Sequence, residues 1–269
     1  MNYWEQSEKN IYVAAHRGWC SKYPENTILA FVKAIELDVD QLELDIRISA
    51  DDELVVIHDE TVDRTTNGSG KVCDLTLAEL KKLDAGIKKG EEFAGCTIPT
   101  FAEFMELVKD LPRMTIDFEL KEYPEKIGDK AYEICDRVLK IIDDYGFTDR
   151  CVINTFSPKL HEYIYEKYGN KYKQHVYYPI EKHARNGKVS IDPYTYGYCV
   201  CMFGGSYNNM ASKEEFDEMR AKYGIQPWAG AGVKDEAGVD EVIKCGAPLI
   251  TCNNPDEILA ILRKKGYHK

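Results

Sequence analysis

The chain has 269 residues, a formal net charge of −11 and a pI near 5.1, a balance that repels a nucleic-acid backbone and argues against polymeric nucleic acid as a partner. Its 44% hydrophobic content suffices for a large core, and no linker, low-complexity tract or repeat divides it, so one domain over residues 1–269 is expected. Met1-Asn2-Tyr3-Trp4-Glu5-Gln6 lacks a basic stretch followed by a long apolar run, no apolar segment approaches a membrane span, and the nine cysteines contain no CxxC pair. The expectation is a soluble, cytoplasmic protein with reduced thiols, no structural zinc and no stable membrane insertion.

Strand-like runs follow in order at 12–17, 41–48, 54–58, 114–120, 151–156, 173–178, 198–203, 225–230 and 248–252. Helical patterns separate most of them, at 27–37, 76–83, 100–108, 126–145, 158–168, 212–223, 236–245 and 255–264. Such alternation predicts a parallel sheet with crossover helices. The exception is the gap at 49–53, too short for a crossover, which predicts a β-hairpin. With Ser49 and Leu54 closing that hairpin, the antiparallel register sets His58 opposite Asp45. The remaining eight strands predict a closed TIM-type (β/α)8 barrel with a hairpin extension after its second strand. Its active site would lie at the C-terminal ends of the strands.

Polar residues cluster where those ends fall. Alternation puts Glu43 and Asp45 on one face of their strand, against Leu42, Leu44 and Ile46 on the other. In the same way Asp117, Glu119 and Lys121 oppose Ile116, Phe118 and Leu120. Inward carboxylates this close need a cation, and hard oxygen ligands favour Mg²⁺, Ca²⁺ or Mn²⁺ over zinc, with Glu43, Asp45 and Glu119 as the ligands. The alternative is a structural salt-bridge network with Arg47 or Lys121. His16 and His58 each end an apolar strand and arrive at the same cluster. Two histidines beside a metal, with Arg17 and Lys121, make a set for phosphoryl chemistry: an acid, a base, and cations for the anion.

The chain here resembles the glycerophosphodiester phosphodiesterases. The likeness rests on His16-Arg17-Gly18, Pro24-Glu25-Asn26-Thr27, Glu43-Leu44-Asp45, His58-Asp59, Arg64-Thr65-Thr66-Asn67-Gly68-Ser69-Gly70, Ile98-Pro99-Thr100, Phe118-Glu119-Leu120-Lys121, Trp228 and Ile250-Thr251. It implies a barrel that hydrolyses glycerophosphodiesters, small-molecule substrates, to sn-glycerol 3-phosphate and an alcohol. By position His16 and His58 match the family's acid and base pair, Glu43, Asp45 and Glu119 its metal ligands, and Arg17 and Lys121 its phosphate contacts. Glu25, Phe156 and Trp228 fall at further substrate-site positions. Asn26 reads equally as the N-cap of the following helix. In the mechanism the family implies, the substrate's own glycerol 2-hydroxyl attacks, which suits a chain without a GxSxG nucleophile signature.

The chain departs from the family pattern at Thr155-Phe156, at Ala229-Gly230-Ala231-Gly232 and at Thr251-Cys252-Asn253, expected to lie away from the metal motifs and to bear on leaving-group preference. Phe203-Gly204-Gly205-Ser206-Tyr207-Asn208 lacks nucleotide-loop spacing and reads as a βα loop. The Tyr-rich stretch at 177–198 either shapes the substrate mouth or covers a helix, while His161, His175, His183 and His268 read as surface or structural. Two other readings stand beside the first: a related barrel phosphodiesterase acting on lysophospholipids or phosphoinositides, and a catalytically silent, metal-stabilised binding protein. The leaving alcohol, the choice between Mg²⁺ and Ca²⁺, and the oligomeric state are not encoded in any motif found.

Overall fold

The structure, a computed structural model, describes Trp4, residues 10–202 and residues 211–269. The expected loop at Phe203-Gly204-Gly205-Ser206-Tyr207-Asn208 and most of the N-terminal hexapeptide lie outside the described residues. Nine strands form one sheet: β1 (Tyr12–His16), β2 (Gln41–Ile48), β3 (Leu54–Val56), β4 (Thr115–Leu120), β5 (Cys151–Asn154), β6 (Lys173–Tyr178), β7 (Cys199–Met202), β8 (Gln226–Ala229) and β9 (Leu249–Cys252). All but β3 run parallel, and β1 pairs with both β9 and β2, which closes an eight-stranded barrel. This is the predicted TIM barrel, with β3 as the extra, antiparallel strand on the upper half of β2.

Helices follow the strands as the apolar periodicity requires. Thr27 caps α1 (Ile28–Glu36), accepting from the Ala30 amide. Thr100 and Glu103 form a reciprocal capping box on α3 (Phe101–Val108), as Thr76 and Glu79 do on α2 (Leu77–Leu80). The helix expected over 126–145 is two: α4 (Pro124–Ile127) and α5 (Lys130–Asp144), separated at Gly128, whose φ of 63° ends the first. The outward faces of the strands pack on these helices through fully buried Phe31, Phe101, Phe104 and Phe118, each worth about 1.5–3 kcal/mol of burial.

Two smaller cores set the geometry of the ends. Inside the barrel, Ala14, Val152, Cys199, Trp228 and Leu249 form an apolar floor closed by Trp4, whose ring stacks on Trp228 at 6.1 Å. Above the barrel, Val55, Ile57, Val62, Val72, Leu80, Ala85 and Ile98 give the hairpin extension a core of its own.

The hairpin register differs from expectation by one residue. Ser49 pairs with Glu53, not Leu54, since its amide donates to the Glu53 carbonyl at 2.9 Å, and Ile46 faces Val56. The turn is Ala50-Asp51-Asp52, with Asp52 left-handed at φ 63° and the Ser49 hydroxyl accepting from the Glu53 amide at 2.9 Å. A three-residue hairpin loop ending in a left-handed residue is a favoured geometry, and it shifts every later pair. His58 therefore does not oppose Asp45. Ile57 does, donating its amide to the Asp45 carbonyl at 3.0 Å. The strand ends at Val56, and His58 reaches the mouth from the bend that follows.

Candidate active site

The site begins with backbone strain. Where β1 ends, Arg17 adopts φ 56° and Gly18 φ 75°, and Asn26, at the far end of the same loop, adopts φ 55°. A Cβ on Gly18 would lie 2.7 Å from the backbone of Ala30, so only glycine fits. Left-handed Arg and Asn each cost about 1–2 kcal/mol. Hydrogen bonds hold them there: the Asn26 amide to the Arg17 carbonyl at 3.0 Å, and the Arg17 amide to the Glu43 Oε2 at 2.9 Å. The result points the Arg17 and Asn26 side chains inward. Asn26 is not a helix cap, as Thr27 fills that role; its Nδ2 donates to Asp45 Oδ2 at 2.7 Å.

Glu43 and Asp45 on β2 and Glu119 on β4 converge as alternation predicted, each offering an oxygen within 4.8 Å of the others, and all three are buried. Lys121, equally buried, places its Nζ 3.0 Å from Asp45 Oδ1 and pairs with Glu119. Arg17 Nε lies 3.3 Å from Asp45 Oδ2. The expected alternative partner Arg47 turns away, donating to the His58 carbonyl at 2.8 Å and pairing with Glu122 at 3.3 Å. Asp117 is inward-facing but does not join the cluster: it meets His175 on β6, Nδ1 to Oδ2 2.6 Å.

The charges are unequally satisfied. Burial raises the Asp45 carboxyl, but Lys121 and Arg17 outweigh it and hold the group below its ordinary range. Burial, then the neighbouring Asp45 and Glu119 charges, push Glu43 well up, and burial raises Glu119 despite Lys121. Two carboxyls of three thus resist ionisation, the condition a divalent cation relieves. Three hard oxygen donors fit such an ion chemically.

Two histidines flank the cluster. His16 Nε2 is 3.8 Å from Glu43 Oε2, and its Nδ1 meets Asn253 Oδ1 at 2.6 Å. Burial, then Arg17, lowers its pKa to about 4. His58 Nδ1 meets Asp59 Oδ1 at 2.6 Å; burial and Lys121 lower its pKa, while Asp45 and Asp59 oppose the fall. Glu25 spends both oxygens on arginines, accepting from Arg17 at 2.9 Å and from Arg64 at 2.7 Å twice. Phe156 stacks on Tyr177 with centroids 4.0 Å apart, and Lys121 Nζ lies 5.9 Å from its ring, so it walls the site. Trp228 is 0% exposed in the barrel floor and sits apart from the cluster.

Reading the sequence missed Arg64 and Asn253 as partners of site residues. Asn253 follows β9 and touches His16, so it is at the site, against expectation. Barrel closure brings β9 beside β1, the one signal that would have placed it there. His161, His175 and His183 are buried and structural. No helix among the described residues is long and apolar enough to cross a membrane.

Solved structures share this fold. A putative glycerophosphoryl diester phosphodiesterase from Silicibacter pomeroyi superposes with a TM-score of 0.80 over 98% of this chain and 96% of its own, at 20% identity. An Oleispira antarctica phosphodiesterase, solved in complex with the product sn-glycerol-3-phosphate, gives 0.76 over 94% and 96% at 21% identity. In sequence, a glycerophosphodiester phosphodiesterase of Caldanaerobacter subterraneus is 36% identical over 262 residues, 94% of this chain and 98% of that protein. Residues 16–196, which carry every proposed ligand and both histidines, match the glycerophosphoryl diester phosphodiesterase family, and with that relative aligned end to end the chain belongs to this family and is a phosphoric diester hydrolase.

Proposed function

We propose that the protein hydrolyses glycerophosphodiesters to sn-glycerol 3-phosphate and an alcohol, using a divalent cation held by Glu43, Asp45 and Glu119 and proton transfer by His16 and His58. The observation that carries the reading is the convergence of three carboxylate oxygens within 4.8 Å, with His16 Nε2 3.8 Å from Glu43 and His58 next in the chain to Ile57, whose amide bonds the Asp45 carbonyl. The product bound by the Oleispira relative is the one this reaction releases.

A bound cation would draw charge from the phosphate oxygens. Lys121 and Arg17 add positive charge beside them, while Phe156 and Tyr177 exclude water from that wall. His16, with Nδ1–H donated to Asn253, presents an unprotonated Nε2, and its lowered pKa keeps it neutral near pH 7. It is the base for the glycerol 2-hydroxyl. The oxygen of that hydroxyl bonds to phosphorus as the bond to the leaving alcohol breaks. His58 protonates the departing oxygen, with Asp59 on its Nδ1 opposing the fall in its pKa that burial and Lys121 cause. Water then opens the cyclic phosphate with the roles exchanged: His58 takes the water's proton and His16 returns one to the 2-oxygen. Nine free cysteines, most of them buried, suit a reducing compartment such as the cytoplasm.

The test is release of glycerol 3-phosphate from a panel of glycerophosphodiesters, with chelator, and with Mg²⁺, Ca²⁺ or Mn²⁺ restored. Release that stops with chelator and returns with a cation is expected. Release that persists in chelator and in Glu119→Gln contradicts the reading.

A further inference from the structure

The two histidines of the proposed reaction stand on different strands of the sheet, His16 at the end of β1 and His58 beyond the end of β3. β3 packs Leu54 and Val56 into the barrel core and turns Val55, with the following Ile57, towards Val62 and Ile98 of the extension. Their geometry relative to one phosphate therefore depends on how the His58 side chain is held at the mouth. Proton transfer needs that geometry closely held, and a misplacement of about 1 Å costs on the order of 10²-fold in rate.

The backbone beside His58 is tied to β2 by the Ile57 amide on the Asp45 carbonyl at 3.0 Å and by Arg47 Nε on the His58 carbonyl at 2.8 Å; Arg64 adds the side-chain link across the mouth. It lies in the extension, where the Thr66 amide bonds to the Val62 carbonyl at 3.0 Å and the Val62 amide to that of Gly70 at 3.0 Å, so the turn carrying it is fixed. One edge of its guanidinium grips Asp59, Nε to Oδ2 2.6 Å and Nη2 to Oδ1 3.2 Å. The other edge grips Glu25 on the barrel loop, Nη1 to Oε2 and Nη2 to Oε1, both 2.7 Å. Beyond those carboxylates stand the working groups. Asp59 holds His58 Nδ1 at 2.6 Å, and Glu25 holds Arg17, which is 3.3 Å from Asp45. With both edges committed to protein carboxylates, Arg64 is not placed to bind the substrate phosphate. Nor is its value chiefly in stability, because an ion pair whose arginine side chain is 46% exposed is worth little in water.

We infer that Arg64 is a positioning residue for this reaction: bridging Asp59 behind His58 to Glu25 behind Arg17, it keeps the histidine of the extension in register with the carboxylate cluster of the barrel. Lysine cannot replace it, since an ammonium has no planar fork to engage two carboxylates at once. The inference rests on the proposed role of His58, and its test separates the two.

The experiment measures kcat and KM for the metal-supplied protein on glycerophosphocholine, for wild type, Arg64→Ala, Arg64→Lys, His58→Ala and the Arg64→Ala/His58→Ala pair, with and without added guanidinium. Expected is a loss of about 10- to 100-fold in kcat for Arg64→Ala and for Arg64→Lys, with KM within about threefold of wild type. Guanidinium restores Arg64→Ala, and Arg64→Ala costs under about threefold when His58 is already gone. A rise in KM at unchanged kcat, full activity of Arg64→Lys, or losses that multiply in the double variant would overturn the Arg64 role while leaving that of His58 standing. Wild-type turnover by His58→Ala would overturn the proposed function itself.

Discussion

The two ends of the barrel interior are built from the same strands to opposite rules. β1 contributes Ala14 to the floor and His16 to the mouth; β5 contributes Val152 to the floor and, beyond its end, Phe156 to the wall of the site. At the floor, Trp4 and Trp228 stack, the Trp4 indole donates to the Asp149 carbonyl at 2.7 Å and the Trp228 indole to Gln226 Oε1 at 3.2 Å, so both indole N–H groups are satisfied. At the mouth, three buried carboxylates face one lysine and one arginine, and two of the three carboxyls are pushed up in pKa. Between the ends lies a paired polar layer, Asp117 with His175 at 2.6 Å and Asn154 with Tyr177 at 2.6 Å. The floor supplies stability and the mouth stores electrostatic tension, which is what separates a structural from a functional interior.

Substitutions can break this division. The largest effect falls on activity at the mouth: Glu43→Gln, Asp45→Asn and Glu119→Gln should each reduce glycerol 3-phosphate release to background. Their stabilities, measured by thermal unfolding without metal, should diverge. Glu43→Gln keeps an acceptor for the Arg17 amide and removes a repelled charge, for a gain on the order of 1 kcal/mol, or about 2–4 °C. Asp45→Asn removes the carboxylate that Lys121 and Arg17 share, leaving Lys121 to Glu119 and Arg17 to Glu25, and should destabilise by about 1–3 kcal/mol. Equal stability changes for the two would show that the cluster carries no such tension.

Next come the histidines. His16→Ala and His58→Ala should each lose about 10²–10⁴ in kcat on glycerophosphocholine. On a nitrophenyl ester, whose leaving group departs unprotonated, His58→Ala should recover most of its rate and His16→Ala should not. Equal losses on both substrates would remove the assignment of acid and base.

At the floor, Trp228→Ala should cost about 3–5 kcal/mol of unfolding free energy while kcat at low temperature stays near wild type. A kcat collapse in a folded Trp228→Ala protein would place that residue back in the substrate site, where the family likeness had put it.

A last effect concerns pH. Buried His161 hydrogen-bonds the Thr155 carbonyl through Nε2, and burial lowers its pKa to about 4. Its folded value lies below the unfolded one near 6.5, so the stability it contributes is present above pH 6.5 and is lost as pH falls from there towards 4. Chemical denaturation across that window should show a shallower loss for His161→Gln than for wild type, and identical slopes would exclude the contribution.

What the sequence disclosed follows the same physics. Period-two alternation is local, so the eight barrel strands and the inward Glu43, Asp45, Glu119 and Lys121 could be read directly. The hairpin was readable but its register was not, because one left-handed residue, Asp52, decides the turn. Asp117 has the right parity, yet its partner His175 comes from another strand and claims it at a lower level. Gly128 divides a helix whose apolar period runs on through it. Asn253 and Arg64 were invisible as site partners because barrel closure and a side chain bridging two loops are tertiary facts. Trp228 shows the converse: a family position carries a residue type, and the structure places that residue in the floor.

The central claim is that the mouth cluster is a cation site. Calorimetric titration of chelator-stripped protein with Ca²⁺ and with Mg²⁺, for wild type and Glu43→Gln, tests it most directly. The account predicts one bound divalent ion per chain in wild type, with proton release at neutral pH as the raised Glu43 carboxyl ionises, and affinity lost in the variant. Absence of binding in wild type, or the same affinity in Glu43→Gln, would contradict it.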